Sequence, residues 1–412
     1  MIKHILKVIW NERRINSWIV LELVLIFVIL WFCNDYLRIM AEKRFDPVGF
    51  DIRHTYNVEL DTLISDSRSK STTLSRQNAF ELILKRIKMN PDIENACVSV
   101  YAAPYAGSYM SMGYKVNSSA QQGVWTKGVT PEFFDVFKIN LSVDWRHLTT
   151  EPGAVILGQE PDNLFKNIPI QKIDSVSSDG KRSKVLGFAN PVKRGEFDNY
   201  EPIVYCLNKP SDMSNNMVVI SIRVKPEADG AGFEDKFVND MREQLSVGPY
   251  FLVTITPTSS VQKNYMTWTG ASNGLKSVFS VISFLLINIF LGIIGTFWLR
   301  TQSRRGEIAL QMALGASRRK VRLTYILEAV LLLFLASILG TILAVNLLAA
   351  GVFENVGFAM FNDNSQKVLS IGRFLVDYLM TFGTLFLIII LAVWYPSILA
   401  SRVRPAVVLR EE

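Results

Sequence analysis

Three stretches of this chain hold no charged side chain: residues 277–299, 329–353 and 378–401. Each is long enough to cross a hydrocarbon layer of about 30 Å as a helix. A fourth run, 15–33, is apolar apart from Asn16, Ser17 and the single acid Glu22. It could be a signal peptide, but Cys33-Asn34-Asp35 is a poor small-residue cleavage site, so we read an uncleaved anchor. Glu22 would then face other helices or the interface, because an acid in lipid is costly. Ahead of it, Ile2, Ile5, Leu6 and Ile9 recur at helical spacing beside Lys3, Lys7, Arg13 and Arg14, the pattern of an interfacial helix over 1–14.

Between the first and second spans the pattern changes to mixed, turn-rich sequence over 35–275, enough for a large folded domain. Leu74, Phe80, Ile83, Leu84 and Ile87 form a helical stripe that ends before Pro91, and Ala96–Tyr101 then alternates as a strand. Near the domain's end, strand-like 218–224 precedes a helical stripe of Phe233, Phe237, Met241 and Leu245, with strand-like 251–255 after it. Between these two units lie short strands and turns. They include the turn into a short helix at Val129–Phe137, a strand over 154–158 and a hairpin over 174–187. The Lys and Arg side chains of this middle region read as solvated surface. The expected fold is a helical membrane protein with four transmembrane helices, one plus three. A large extracytoplasmic α+β domain sits between the first and second, split by a strand-rich insertion. The boundaries are 1–14, span 15–34, outer domain 35–275 (layer 40–105 and 200–265, insertion about 106–199) and span 276–299. The inner loop 300–322, span 323–353, outer loop 354–372, span 373–400 and tail 401–412 follow.

Charge sets the orientation. Residues 1–16 are net +3, 300–322 net +6 and 401–412 net +1, while the whole chain is +7, so the remainder is −3. Basic residues gathered at span ends follow the positive-inside rule, which puts both termini and 300–322 in the cytoplasm and 35–275 outside. The basic balance therefore gives no nucleic-acid groove. Trp298, Trp394 and Tyr395 fall near the inner ends, where an aromatic belt belongs. Arg373 and Asp377, four apart at the outer start of the last span, are expected to pair. Cys97 and Cys206 fall on the expected outer side and could pair, but two scattered cysteines are a weak disulfide framework; the competing reading is two buried thiols in strands.

The loop 300–322 reads RTQSRRGEIALQMALGASRRKVR. A short helix, Glu307 to Leu314, lies between its basic clusters. Glu307 suits the positive helix end, Gly315 a C-terminal cap and Ser317 the N-cap of the next helix. Ile308 and Met312 form an i, i+4 pair, as do Leu310 and Leu314. A helix this short needs a surface to lie on, either lipid or a protein. Glu328, inside the third span, reads as a polar tie near the inner interface or as a contact coupling loop to spans.

Catalytic patterns are sparse. There is no Gly-x-x-x-x-Gly-Lys-Ser/Thr to cradle a nucleotide, and no His-Glu-x-x-His. Asp144 and His147 are close in sequence, but no nucleophile elbow accompanies them.

The loop resembles the signature of FtsX-like permeases of the MacB type, membrane subunits of ABC transporters. The resemblance rests on Arg305-Gly306-Glu307-Ile308, Ala313-Leu314-Gly315-Ala316-Ser317 and Glu328-Ala329, with the closing Pro405-Ala406-Val407-Val408-Leu409-Arg410. Residues 129–137 and 154–157 are more loosely similar to the family's outer domain. The resemblance implies a non-catalytic subunit of the bacterial inner membrane with a periplasmic domain over 35–275. A separate cytoplasmic ABC ATPase would carry ATP and Mg, and this chain would bind no cofactor. That ATPase would dock on the coupling helix through Arg305, Glu307, Ile308, Leu310, Gln311, Met312, Leu314, Gly315 and Ala316, with Glu328 behind it. A second permease copy, as homodimer or related heterodimer, and a periplasmic adaptor or outer-membrane channel are the other partners implied. The implied work is mechanotransmission for efflux of a drug, peptide or lipoprotein. The alternative is an FtsX-like scaffold that regulates an envelope protein without moving cargo.

Overall fold

The computed structural model describes residues 2–62, 70–116, 122–150, 153–158, 172–213, 217–350 and 371–402. The chain divides into two compact units, 1–40 with 273–412, and 41–272.

The first unit is helical. An N-terminal helix α1 (Ile2–Asn11) is followed by α2 (Arg13–Phe45). After the second unit come α7 (Ala271–Ser303), α8 (Arg305–Ala313), α9 (Arg318–Ala349) and α10 (Ile371–Ala400). Four of these are long and apolar enough to cross a membrane: Asn16–Phe45, Ala271–Ser303, Arg318–Ala349 and Ile371–Ala400, with mean hydropathy of 2.2 to 2.5. The first span is the central one. Of its most apolar window 56% is buried, against 11% for α7, which leaves α7 with a broad open apolar face. Phe27 and Leu30 of α2 are fully enclosed among residues of α7, α9 and α10. Gly340 of α9 permits this packing, because a Cβ there would come within 2.7 Å of the Phe27 ring. Glu22 is half-buried beside Gly292 of α7.

The first helix does not stop at 34. It runs 33 residues, about 50 Å, to Phe45. The polar residues that close the apolar run are accommodated by partners on α10. Arg373 donates to both carboxylate oxygens of Asp35 (3.0 and 2.8 Å), and Arg38 bridges Asp35 (2.6 Å) and Asp377 (2.8 Å). Arg373 and Asp377, expected to pair with each other along one helix, thus both reach across to α2. Asn34 donates to Thr381 Oγ1 one turn deeper (3.1 Å). At the other end of the bundle Trp298 and Tyr395 stack, centroids 6.2 Å apart. The expected outer loop, 354–372, lies almost entirely outside the described residues, as do tail residues 403–412 with the closing motif.

The second unit is built on one ten-stranded sheet with spatial order β10-β1-β9-β2-β4-β8-β5-β7-β6, and β3 added on β4. In chain order β1 is Thr55–Thr62, β2 Ile93–Val100, β3 Ser111–Tyr114, β4 Gln122–Val129 and β5 Ala154–Gly158. Then come β6 Ser175–Ser178, β7 Lys181–Ala189, β8 Ile203–Leu207, β9 Val218–Val224 and β10 Tyr250–Pro257. Its helices are α3 (Lys70–Met89), α4 (Phe133–Val136), α5 (Phe233–Met241) and α6 (Thr258–Trp268). Helices α3 and α5 bring Phe80, Ile83, Leu84, Ile87, Phe233, Phe237 and Met241 onto β10-β1-β9-β2. This is the layer anticipated from the two helix-and-strand units. The strand ladder that joins the insertion to it, between β2 and β4, pairs Ser99 with Val129 and Val100 with Gly128, and α4 adds contacts such as Asn95 Nδ2 to Asp135 (2.8 Å). Strand β8, on the layer's side of a boundary at 200, lies instead inside the insertion, parallel to β4 and antiparallel to β5. The β6–β7 hairpin turns at Asp179 and Gly180, both at positive φ (48° and 76°), as a two-residue hairpin turn requires.

Other features differ from the sequence reading. Lys127 and Lys193, in the region read as solvated surface, are buried. Cys97 and Cys206 are free thiols on β2 and β8, the first buried, the second half-buried with Tyr114 Oη 3.8 Å away. Asp144 caps a short turn, its carboxylate accepting from the Arg146 amide (3.0 Å).

Candidate functional site

The loop between α7 and α9 is a nearly continuous set of helical caps. Helix α8 ends in a left-handed glycine, Gly315, at φ +94°. The Gly315 amide donates to Met312 O (3.1 Å) and the Ala316 amide to Gln311 O (3.0 Å). This crossed pair is the Schellman motif, which needs a residue at positive φ, and glycine takes that conformation without a Cβ clash. Ser317 then caps α9, its hydroxyl accepting from the Lys320 amide (3.3 Å). The end of α8 and the start of α9 are therefore both capped within Gly315–Ser317.

The helix presents two faces. Ile308 is 4% exposed and Ala309 fully buried, and Met312 packs partly against the same apolar core of the helical unit. Leu310 is 52% and Leu314 80% exposed. Glu307 and Gln311 are exposed with them. Positions 307, 310, 311 and 314 follow the i, i+3, i+4, i+7 spacing of one helical face. The nine loop residues expected to act together thus separate. Ile308 and Met312 anchor the helix, while Glu307, Leu310, Gln311 and Leu314 form its outward face. Arg305 and Gly315 are exposed at the two ends, and Ala316 is half-buried. Arg318, Arg319 and Lys320 are exposed beside them.

Behind the helix lies a buried polar cluster. Arg300 near the end of α7 is 4% exposed and Glu328 of α9 is 2% exposed, and they meet at 2.6 Å. Arg300 also reaches Glu12 (3.3 Å) and hydrogen-bonds Asn16. Arg304, at the N-cap of α8, donates through Nε to Glu12 (2.8 Å) and lies 3.5 Å from the other Glu328 oxygen. Two guanidinium groups thus face two carboxylates. Burial opposes the charge on Arg304, but Glu12 and Glu328 outweigh it and hold its pKa above the usual arginine range. Asn16 donates onward to Ile9 O (2.8 Å). The cluster joins the α1–α2 junction, the end of α7, the start of α8 and α9. Arg322 Nε donates to Ser401 (2.9 Å), which brings in the end of α10. Of this cluster only Glu328 stood out in the sequence. Glu12 and Asn16 are some 290 residues from their partners, and only the unusual position of a charge inside or beside an apolar run pointed to them.

The comparisons with known proteins bear on this loop directly. Residues 278–405, which contain it, match the family model described as FtsX-like permease C-terminal. The chain is also 24% identical over 267 residues to the macrolide export ATP-binding/permease protein MacB of Acinetobacter baylyi, covering 61% of this chain and 39% of that protein.

The chain carries an FtsX-like permease C-terminal domain over residues 278–405 and is similar in sequence to MacB.

A second relative, MacB 2 of Yersinia pestis bv. Antiqua, is 25% identical over 224 residues, 53% of this permease and 31% of that protein. The permease thus aligns with less than two-fifths of the length of these curated relatives. Among solved structures, the periplasmic region of MacB from Actinobacillus actinomycetemcomitans is similar at 12% identity and TM-score 0.35, covering 54% of the permease and 97% of that chain. The extracellular domain of the ABC-type transporter YknZ from Gram-positive bacteria is similar at 15% identity and TM-score 0.31, covering 48% and 99%.

Proposed function

We propose that this permease passes ATP-driven motion from a separate cytoplasmic ATPase to its 41–272 domain, with α8 as the docking element. The observation that carries the proposal is the outward face of α8, where Leu310 and Leu314 stand exposed between Glu307 and Gln311. The helix is already anchored through Ile308 and Ala309, so its outward leucines are not needed by its own fold. The sequence carries no nucleotide-cradling motif, which supports assigning the ATPase chemistry to a partner. The charge asymmetry of the loops supports a reading with α8 and both termini in the cytoplasm and 41–272 in the periplasm of an inner-membrane protein.

The buried Arg300–Glu328 cluster gives α8 a stiff connection to α2, α7 and α9, so a displacement of the helix would be shared by the spans. The open apolar face of α7 suits lipid or a second permease copy. The work is efflux or export of a drug, peptide or lipoprotein, with room for a periplasmic adaptor or outer-membrane channel; the competing reading is a regulatory scaffold. Leu310 and Leu314 together offer roughly 2–4 kcal/mol of apolar burial to a partner. Leu310→Asp should therefore reduce co-purification of the ATPase at least tenfold while leaving membrane insertion intact. Undiminished co-purification would overturn the docking assignment. Reconstituted permease and ATPase that hydrolyse ATP and respond to the outer domain, yet move no tested cargo, would favour the scaffold.

A further inference from the structure

The 41–272 unit contains a buried hydroxyl, and beside it a largely buried ammonium, for which no hydrogen-bond partner is found among the described residues. Along β4, Trp125, Lys127 and Val129 fall on one face, because strand side chains alternate. The parallel register sets Lys127 beside Tyr205 of β8. Lys127 is 8% exposed, and Tyr205 is fully buried. The Tyr205 hydroxyl has no hydrogen-bond partner among the described residues. The contact made by the Lys127 ammonium is with the face of the Tyr205 ring, 5.7 Å away, and no carboxylate reaches it among the described residues. Both side chains line a cavity with about 20 Å³ for the centres of water-sized atoms, enough for one or two such atoms.

The mouth of that cavity is cationic and aromatic. Arg194 lies over the rings of Trp125 (4.7 Å), Tyr109 (4.9 Å) and Tyr265 (5.8 Å). The Tyr109 and Trp125 rings are 4.3 Å apart, and Tyr109 is more than half exposed. The acids nearest in sequence have other partners. Glu196 accepts from Tyr105 (2.7 Å) and Gln262 and lies 3.7 Å from Arg44, and Asp198 accepts from Tyr265 (2.6 Å). Lys127, Lys193 and Arg194 line the cavity with the orphaned Tyr205 hydroxyl, and among the described residues no acid does; Lys193 is held by Lys43 O (2.9 Å) and Asp46 (3.6 Å), which leaves Lys127 and Arg194. Burial together with the Arg194 charge lowers the Lys127 pKa to about 8, the response of an ammonium without a counterion. Proteins seldom leave a charge unpaired at such depth.

We propose that this cavity is a ligand subsite for a carboxylate carried on an aromatic or apolar body. The carboxylate would accept from Lys127 Nζ and Tyr205 Oη, and the body would lie along Tyr109, Trp125 and Arg194. Two planar oxygens match both the size of the cavity and its two inner donors. The site lies wholly within the 41–272 unit and is independent of what docks on α8.

The test uses the full chain in a neutral detergent, with 4-fluorobenzoate as probe and fluorine NMR line broadening as readout. Wild-type protein should broaden 4-fluorobenzoate saturably and should not broaden 4-fluorobenzyl alcohol, its neutral analogue. Lys127→Met should weaken the binding at least tenfold, and Tyr205→Phe, which removes only the hydroxyl, should weaken it severalfold. Without ligand, Lys127→Met should raise the melting temperature of the unit, because it removes an unpaired buried charge. The probe should raise the melting temperature of wild type and not that of the variant. Equal binding by wild type and Lys127→Met, equal binding of acid and alcohol, or tighter binding of 4-fluorophenyl phosphate would each overturn the assignment. So would a Lys127→Met protein that folds but is less stable than wild type, since the ammonium would then already be satisfied.

Discussion

Removing Glu328 tests the buried cluster behind α8 most severely. Arg300, Arg304, Glu12 and Glu328 form a charge-balanced set, with contacts of 2.6 Å (Arg300–Glu328), 3.3 Å (Arg300–Glu12) and 3.5 Å (Arg304–Glu328). Glu328→Gln keeps the shape but leaves two guanidinium groups against one carboxylate. Breaking one partner of a buried pair costs about 3–5 kcal/mol. For a unit of this size, a loss of about 3 kcal/mol corresponds to a melting temperature roughly 6–12 °C lower. Arg300→Met should cost a similar amount, because it leaves Glu12 and Glu328 against Arg304. The double variant should recover much of the loss, since Arg304 and Glu12 remain as a matched pair. The expected coupling between the two substitutions is about 2–3 kcal/mol. The assay is thermal unfolding of the four proteins in one detergent at one pH. Single variants within a degree of wild type, or a double variant that shows the plain sum of both losses, would refute the claim that these charges act as one cluster.

Two further outcomes follow from the same structure. Gly315→Ala places a Cβ on a residue at φ +94° and should cost about 1 kcal/mol, read as faster amide exchange at the C-terminal end of α8; Gly315→Asn should cost less. Lys127 has its pKa lowered to about 8 from an ordinary value near 10.5, so between these two pH values the unfolded chain holds more protons than the folded one. Raising the pH from 8 towards 10.5 should therefore stabilise wild type relative to Lys127→Met, by about 3 kcal/mol in all; parallel stability curves for the two proteins would contradict this.

Sequence and structure agree most where a pattern is local. Three spans declare themselves by uncharged runs of 23 to 25 residues. The ends of α8 and α9 are visible in Gly315 and Ser317, because a left-handed cap and a hydroxyl cap each depend on a few neighbouring residues. The face of α8 was not legible. Ile308, Leu310, Met312 and Leu314 occupy every second position, a spacing that does not favour either side of a helix. Only the packing of Ile308 and Ala309 into the helical core chooses. The order of the sheet was hidden for a related reason. The parallel pairing of β4 with β8 joins residues some 78 apart, and neither strand carries a mark of its neighbour. Lys127 reads in sequence as a solvated strand residue, and its burial follows only once β8 lies alongside. That the first helix continues past 34 was hidden, because Asp35 and Arg38 look like the start of a polar domain. Their partners, Arg373 and Asp377, are about 340 residues away.

The central claim is that α8 is read by a partner from its outward face. A photoreactive amino acid placed singly at each position from 305 to 316 of the full permease, in membranes that contain the ATPase, measures this directly. Cross-links should peak at 307, 310, 311 and 314 and be weak at 308, 309 and 312, whose side chains turn into or lean on the helical core. Uniform labelling along the helix, labelling by lipid alone, or no cross-link to an ATPase would contradict the account.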